Sequence, residues 1–195
     1  MRTIRMRLAL LLGVAVTAAL ATASVRGSPA RATVAAAADS DSVFLRATGE
    51  AMARMMPCTV TSIVDGDTFR CGDLGRIRLL LIDSPERDQA PYGAEARAAL
   101  LALLPVGTAA RLEMDVQPRD QYGRLLAYAY RPDGLQVNEM MVRSGYAIVV
   151  TYPPNVRHVD PMRRALALAR EAHRGLWSTD AFDCEPRDRR AGRCK

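Results

Sequence analysis

Asp65 and Asp67 flank a single glycine, Gly66; Asp83 and Glu86 flank Ser84 and Pro85; and Arg78 lies five residues before Asp83. Asp120, Tyr122 and Arg124 share a third short polar stretch. Carboxylates gathered from a turn and a strand end are the hard oxygen donors that Ca²⁺ or Mg²⁺ takes, and guanidinium groups clamp phosphate through paired hydrogen bonds. Each group alone has an ordinary explanation. Asp-Gly-Asp is common in turns for conformational reasons, Arg78 suits an exposed strand position, and 120–124 suits a solvated loop. The combination within one chain is what points to a cation and phosphate site.

The elements that must position these residues are legible in outline. Thr59 to Val64 is a β-branched run, Asp65-Gly66 is a hairpin turn signal, and Thr68 to Cys71 resumes the extended pattern. Arg76 to Ile82 reads as a third strand, apolar on both faces in its second half and therefore central. Pro85 donates no amide hydrogen and disfavours helix at Ser84, so Asp83 and Glu86 belong on a loop at the strand's end. Gly93 to Leu104 follows helical spacing, strands return at Ala109 to Val116 and Leu125 to Arg131, and a short helix is expected around Val137 to Ser144. Tyr146 to Thr151 reads as extended, and a final helix as running from Pro161 to Arg174. Runs of strands interrupted by helices argue for an α+β domain on a small barrel. Asn138 and Glu139 read as structural, Met140 and Met141 as core residues, and His158 as exposed.

The chain opens with Arg2, Arg5 and Arg7 and runs uncharged from Leu8 to Ser24, closing on Ala21, Thr22 and Ala23, as a secretory signal peptide does. A helix over 8–23 would span roughly 24 Å against a hydrocarbon core of about 30 Å, so cleavage after Ala23 is expected rather than an uncleaved anchor. A second cleavage site lies near Ala38. Residues 24–57 read as a low-complexity linker, 58–178 as the folded domain and 179–195 as a polar tail. Export would bring Cys58, Cys71, Cys184 and Cys194 into an oxidising compartment. Of the three possible pairings, Cys58 with Cys71 brackets the hairpin and Cys184 with Cys194 pins the tail. Zinc is the weaker alternative, because CxxC and HxxxH spacings are lacking and His158 and His173 are far apart.

Composition excludes a collagen, a rod and a wholly disordered chain, with 49% apolar and 25% charged residues. The formal charge of +6 is a poor guide to a polyanionic partner. Residues 1–38 carry five arginines and no acid, leaving 22 basic against 21 acidic residues and a net +1 over 39–195.

Six segments occur in one order: Val64-Asp-Gly-Asp-Thr68, Arg78-Leu-Leu-Leu-Ile-Asp-Ser-Pro-Glu86, Tyr92-Gly-Ala-Glu-Ala96, Asp120-Gln-Tyr-Gly-Arg-Leu-Leu-Ala-Tyr128, Val137-Asn-Glu139 and Gly175-Leu-Trp-Ser178. In them the sequence resembles the staphylococcal nuclease (thermonuclease) family. The resemblance implies a five-stranded OB-fold β-barrel capped by about three α-helices. It also implies a Ca²⁺-dependent nuclease that hydrolyses phosphodiester bonds of single- and double-stranded DNA and RNA, as a monomer without a stable protein partner. By the same resemblance Asp67 and Asp83 are metal-binding carboxylates, and Ser84 gives its main-chain carbonyl to the metal in place of a threonine. Glu86 is the general base or water-orienting group, and Arg78 and Arg124 hold the scissile phosphate. Tyr122 contacts phosphate or sugar, and Tyr152 lines the nucleotide pocket. Two departures concern substrate contacts: a shorter connection from Glu86 to Tyr92 without the family's lysine-rich insert, and Val150 in place of a tyrosine. A non-catalytic binding module of the same fold would show erosion of the arginines and carboxylates, which are all present; a Ca²⁺-stabilised structural domain leaves the arginines unexplained.

Overall fold

The computed structural model of the protein describes residues 44–194. The expected signal peptide, the first part of the linker and Lys195 lie outside the described residues. α1 (Gly49–Arg54) precedes β1 (Met56–Ile63), which turns at Asp65-Gly66 into β2 (Thr68–Cys71) and then β3 (Gly75–Leu79). There follow β4 (Ile82–Asp83), α2 (Tyr92–Leu103), β5 (Ala109–Arg119), β6 (Leu125–Tyr130), α3 (Val137–Arg143), β7 (Ile148–Val149), α4 (Val159–Glu171) and α5 (Pro186–Arg190). Five strands close into a barrel in the order β1-β2-β3-β6-β5, and β4 with β7 forms a separate two-stranded ladder. The barrel is the expected α+β architecture, with α2, α3 and α4 as its main helices and α1 and α5 as short additions.

Strand alternation separates core from site. On β3, Ile77 and Leu79 point inward and are buried, whereas Arg76 and Arg78 point outward. On β6, Leu125 and Ala127 fill the same interior, with Phe69 from β2, Leu112 from β5 and Met141 from α3. Burying each of the larger side chains contributes about 1.5–3 kcal/mol. Asn138 is buried and reads as structural: its Oδ1 accepts from Ala129 N at 2.9 Å, and its Nδ2 donates to Leu80 O at 2.9 Å and Ala127 O at 3.2 Å.

Four expectations are corrected. The single strand over 76–82 is broken, with β3 ending at Leu79 and β4 beginning at Ile82. Leu81 takes a left-handed φ of 63°, the chain leaves the barrel, and Asp83 pairs with Ile148 instead. The linker reading fails from residue 44 onward. Leu45 N donates to Glu139 Oε2 at 2.5 Å, Gln136 N donates to Leu45 O at 3.0 Å, and Met52 and Met55 pack against the core.

The tail reading fails as well. Ala181 and Phe182 are buried in a second apolar cluster with Ile148 and Leu176, and the Phe182 ring lies 4.5 Å from that of Trp177. His158 is not exposed: its ring packs edge-on against Tyr128 at 4.5 Å, and Nε2 lies 2.9 Å from Glu113. Both disulfides form as expected, Cys58–Cys71 and Cys184–Cys194, with Cα separations of 5.5 and 5.9 Å.

Candidate active site

The turn after β1 and the strand β4 meet outside the barrel, and glycine makes the meeting possible. A Cβ on Gly66 would stand 2.7 Å from the Cβ atoms of both Ser84 and Ala96. With none there, Asp67 reaches across to the Ser84 loop. Its Oδ2 accepts from Ser84 N at 3.0 Å and Ser84 Oγ at 3.2 Å, and its Oδ1 from Thr68 Oγ1 at 2.9 Å. Ser84 therefore also fixes Asp67 through its amide and hydroxyl, roles beyond the main-chain carbonyl that the resemblance gives it.

Arg78 joins the two carboxylates. One guanidinium nitrogen lies 3.0 Å from Asp67 Oδ1 and the other 2.9 Å from Asp83 Oδ1. Both acids are nearly inaccessible, at 6% and 1% exposure, which their ion pairs and hydrogen bonds make tolerable. Asp65 closes the turn by accepting from Asp67 N at 3.1 Å. Burial, and then the neighbouring Asp67 charge, push its carboxyl up to about 6.

Glu86 stands half-buried on the loop beyond Asp83. Gln89 holds that loop, its N donating to Glu86 O at 2.9 Å and its Oε1 accepting from Glu86 N at 3.3 Å. Gly93 lets α2 approach it, since a Cβ there would meet Glu86 O at 2.0 Å. A residue that sequence reasoning missed completes the cluster. Arg190, from α5, sets Nη2 2.7 Å from Asp83 Oδ2 and Nη1 3.2 Å from Asp83 Oδ1, and also pairs with Glu86. The available signal was the run Arg187-Asp-Arg-Arg190 inside the Cys184–Cys194 loop.

Arg124 is not joined to this cluster by any hydrogen bond or ion pair among the described residues. Its Nε pairs with Asp120 Oδ2 at 2.6 Å, and its guanidinium lies 5.5 Å from the Tyr122 ring centroid. Asp120 shapes the turn, its Oδ1 accepting from the amides of Tyr122 and Arg124 at 2.9 and 3.0 Å. Strand register nevertheless brings the arginines to one face. Arg78 pairs with Leu126 across the parallel β3–β6 ladder, and Arg124 lies two residues before Leu126, next to inward-facing Leu125. Strand geometry puts their α-carbons roughly 8 Å apart on the outer surface. Tyr122 is 75% exposed on that turn and Tyr152 is 60% exposed. The Tyr152 loop is tied to β5, with Asn155 Oδ1 accepting from Gln117 N at 2.8 Å and Nδ2 donating to Gln117 O at 2.9 Å.

Four carboxylates, Asp65, Asp67, Asp83 and Glu86, thus face two guanidinium groups, Arg78 and Arg190. Among the described residues no three acidic, histidine or cysteine side chains form a cage for an ion. Asp67 and Asp83 with the Ser84 carbonyl and solvent would form a hard-oxygen shell of the kind Ca²⁺ accepts, so the donor set fits that ion.

A family model described as "Staphylococcal nuclease homologue" matches residues 76–179, just over half of the chain. The matched span contains Arg78, Asp83, Ser84, Glu86, Tyr122, Arg124 and Tyr152, whereas Asp67 precedes it and Arg190 follows it. The chain is 33% identical over 138 residues to the SPbeta prophage-derived endonuclease YokF of Bacillus subtilis (strain 168), covering 66% of this chain and 46% of that protein. It is 32% identical over 139 residues to endonuclease YncB of the same organism, covering 66% and 65%. An uncharacterized endonuclease of Escherichia coli O157:H7 is 38% identical over 123 residues, covering 61% and 75%. The chain spans about half to two thirds of the length of the two Bacillus relatives.

Proposed function

This chain belongs to the staphylococcal nuclease family, and we propose that it is an exported, Ca²⁺-dependent endonuclease that hydrolyses phosphodiester bonds of single- and double-stranded DNA and RNA as a monomer. The observation that carries this reading is the convergence of Arg78 with two buried carboxylates beside Glu86, and with Arg124 on the same outer face. The names of the relatives support the reaction class. Export is inferred from the arginine-flanked apolar run at the start of the chain and agrees with two disulfides.

Asp67, Asp83 and the Ser84 carbonyl would hold the cation. When bound, Ca²⁺ supplies positive charge against the phosphate oxygens as negative charge gathers on them. Arg78 and Arg124 donate hydrogen bonds to the same oxygens, preorganised by Asp67 and Asp83 for the first and by Asp120 for the second. Glu86 accepts a proton from the attacking water as its oxygen bonds to phosphorus, and the phosphorus–oxygen bond to the departing sugar breaks, its electron pair staying on the sugar oxygen, which takes a proton from solvent. Tyr122 contacts phosphate or sugar, and Tyr152 presents an aromatic face on which a base of the substrate stacks.

The test is digestion of single-stranded DNA, duplex DNA and RNA by the full chain, with Ca²⁺ and with a chelator. Cleavage should need Ca²⁺, and Arg124→Ala or Glu86→Gln should lower its rate by about 10²–10³. Cleavage that survives chelation would overturn the metal assignment. Oligonucleotide binding without any cleavage would mark a binding module instead.

A further inference from the structure

The cluster that would take the cation already holds a cationic side chain from the far end of the chain. Asp83 Oδ1 is shared by Arg78 and Arg190, Asp83 Oδ2 is held by Arg190 at 2.7 Å, and Glu86 is paired with the same guanidinium. A carboxylate with both oxygens engaged by guanidinium groups has little coordination capacity left for a dication, and a fixed positive charge beside it repels one.

Arg190 is built to sit there and also to leave. α5 carries it on a loop closed by Cys184–Cys194, which holds its local concentration at the site high. The loop is moored beside Glu86: Gln89 Nε2 donates to Ala181 O at 3.0 Å, Pro186 is buried, and Arg189 lies 3.6 Å from Asp88. The Arg190 side chain itself is 44% exposed, so it can swing into solvent without unfolding the segment that carries it. The segment lies beyond the span matched by the family model, which ends at residue 179.

We propose that Arg190 is an intramolecular competitor for the cation site, holding Asp83 and Glu86 when Ca²⁺ is scarce and yielding them when Ca²⁺ is abundant. This inference rests on the cation reading given above. It makes the C-terminal segment a threshold device: the apparent cation affinity is the intrinsic affinity multiplied by the fraction of molecules in which the guanidinium has withdrawn.

Isothermal titration of the full chain with CaCl₂, without nucleic acid, tests it. Arg190→Ala should bind Ca²⁺ about tenfold more tightly than the parent, Arg190→Lys should fall between them, and Asp83→Asn should lose binding. A Cys184→Ser/Cys194→Ser double variant, which leaves Arg190 in place but opens its loop, should also bind more tightly and carries the test if Arg190→Ala fails to fold. Parent-like or weaker affinity in the Arg190 and loop variants, with binding lost in Asp83→Asn, would overturn the competitor while leaving the cation site standing. No Ca²⁺ uptake by the parent or by Arg190→Ala would overturn both.

Discussion

A glycine between two aspartates reads in sequence as a turn, and the turn is there. Its necessity comes from farther away: Ser84 and Ala96 each stand 2.7 Å from where a Gly66 Cβ would be. In Gly66→Ala the Asp65–Asp67 turn must move off the Ser84 loop, which weakens the hydrogen bonds that aim Asp67. Overpacking of this kind costs about 1–3 kcal/mol, so denaturant unfolding should show a lower midpoint and cleavage should fall with it. A variant as stable and as active as the parent would remove this account of the glycine. Residue identities on the outer face were legible because the motifs carry them, and Arg78, Asp83 and Glu86 do converge. Arg190 was not legible, because a polar run of Arg and Asp reads as solvated and its partners lie more than 100 residues earlier.

Among the elements, β1, β2 and β3 follow from alternation and turn chemistry, whereas the break at Leu80-Leu81 does not. Two adjacent leucines look alike in a central strand and in a chain leaving a barrel, and only the β4–β7 ladder distinguishes them. The loop before α4 shows a similar limit. His158 lacked a visible partner in sequence, yet β5 supplies one in Glu113, which also accepts from Tyr130 OH at 2.7 Å and Arg157 Nη1 at 2.9 Å. Burial alone would raise the Glu113 carboxyl, but the hydrogen bonds from His158, Tyr130 and Arg157 outweigh it and hold the group down at about 2. A carboxyl depressed in the folded state contributes stability that is complete above its unfolded value near 4.5 and is lost as pH falls toward 2. Urea unfolding of the parent should therefore show a fall in stability between those limits. Glu113→Gln should be less stable than the parent at neutral pH, and the gap should close by about pH 2. A gap that stays constant with pH would mean that the charge on Glu113 is not what ties the α4 loop to β5.

For the whole molecule, charge is the property that composition misrepresents most. Residues 44–194 hold 21 basic and 19 acidic residues, a net of +2, although the full chain carries +6. A nearly neutral body cannot attract nucleic acid through its overall field, so phosphate contacts should be few and local. Arg78 and Arg124 face the proposed phosphate position. Two contacts to a single strand correspond to a slope of about −1.4 in log affinity against log salt, or roughly a sevenfold loss of affinity between about 50 and 200 mM. The measurement is fluorescence polarisation of a labelled single-stranded oligonucleotide with Glu86→Gln in Ca²⁺, so that binding is read without cleavage. A slope of about −4 or steeper would require six or more contacts. The arginines scattered over the rest of the surface would then be part of the binding face, and the compact two-arginine clamp would be too small a description of it. A slope near −1.4 that flattens further in Arg124→Ala would instead fix the clamp as the main electrostatic hold on the substrate.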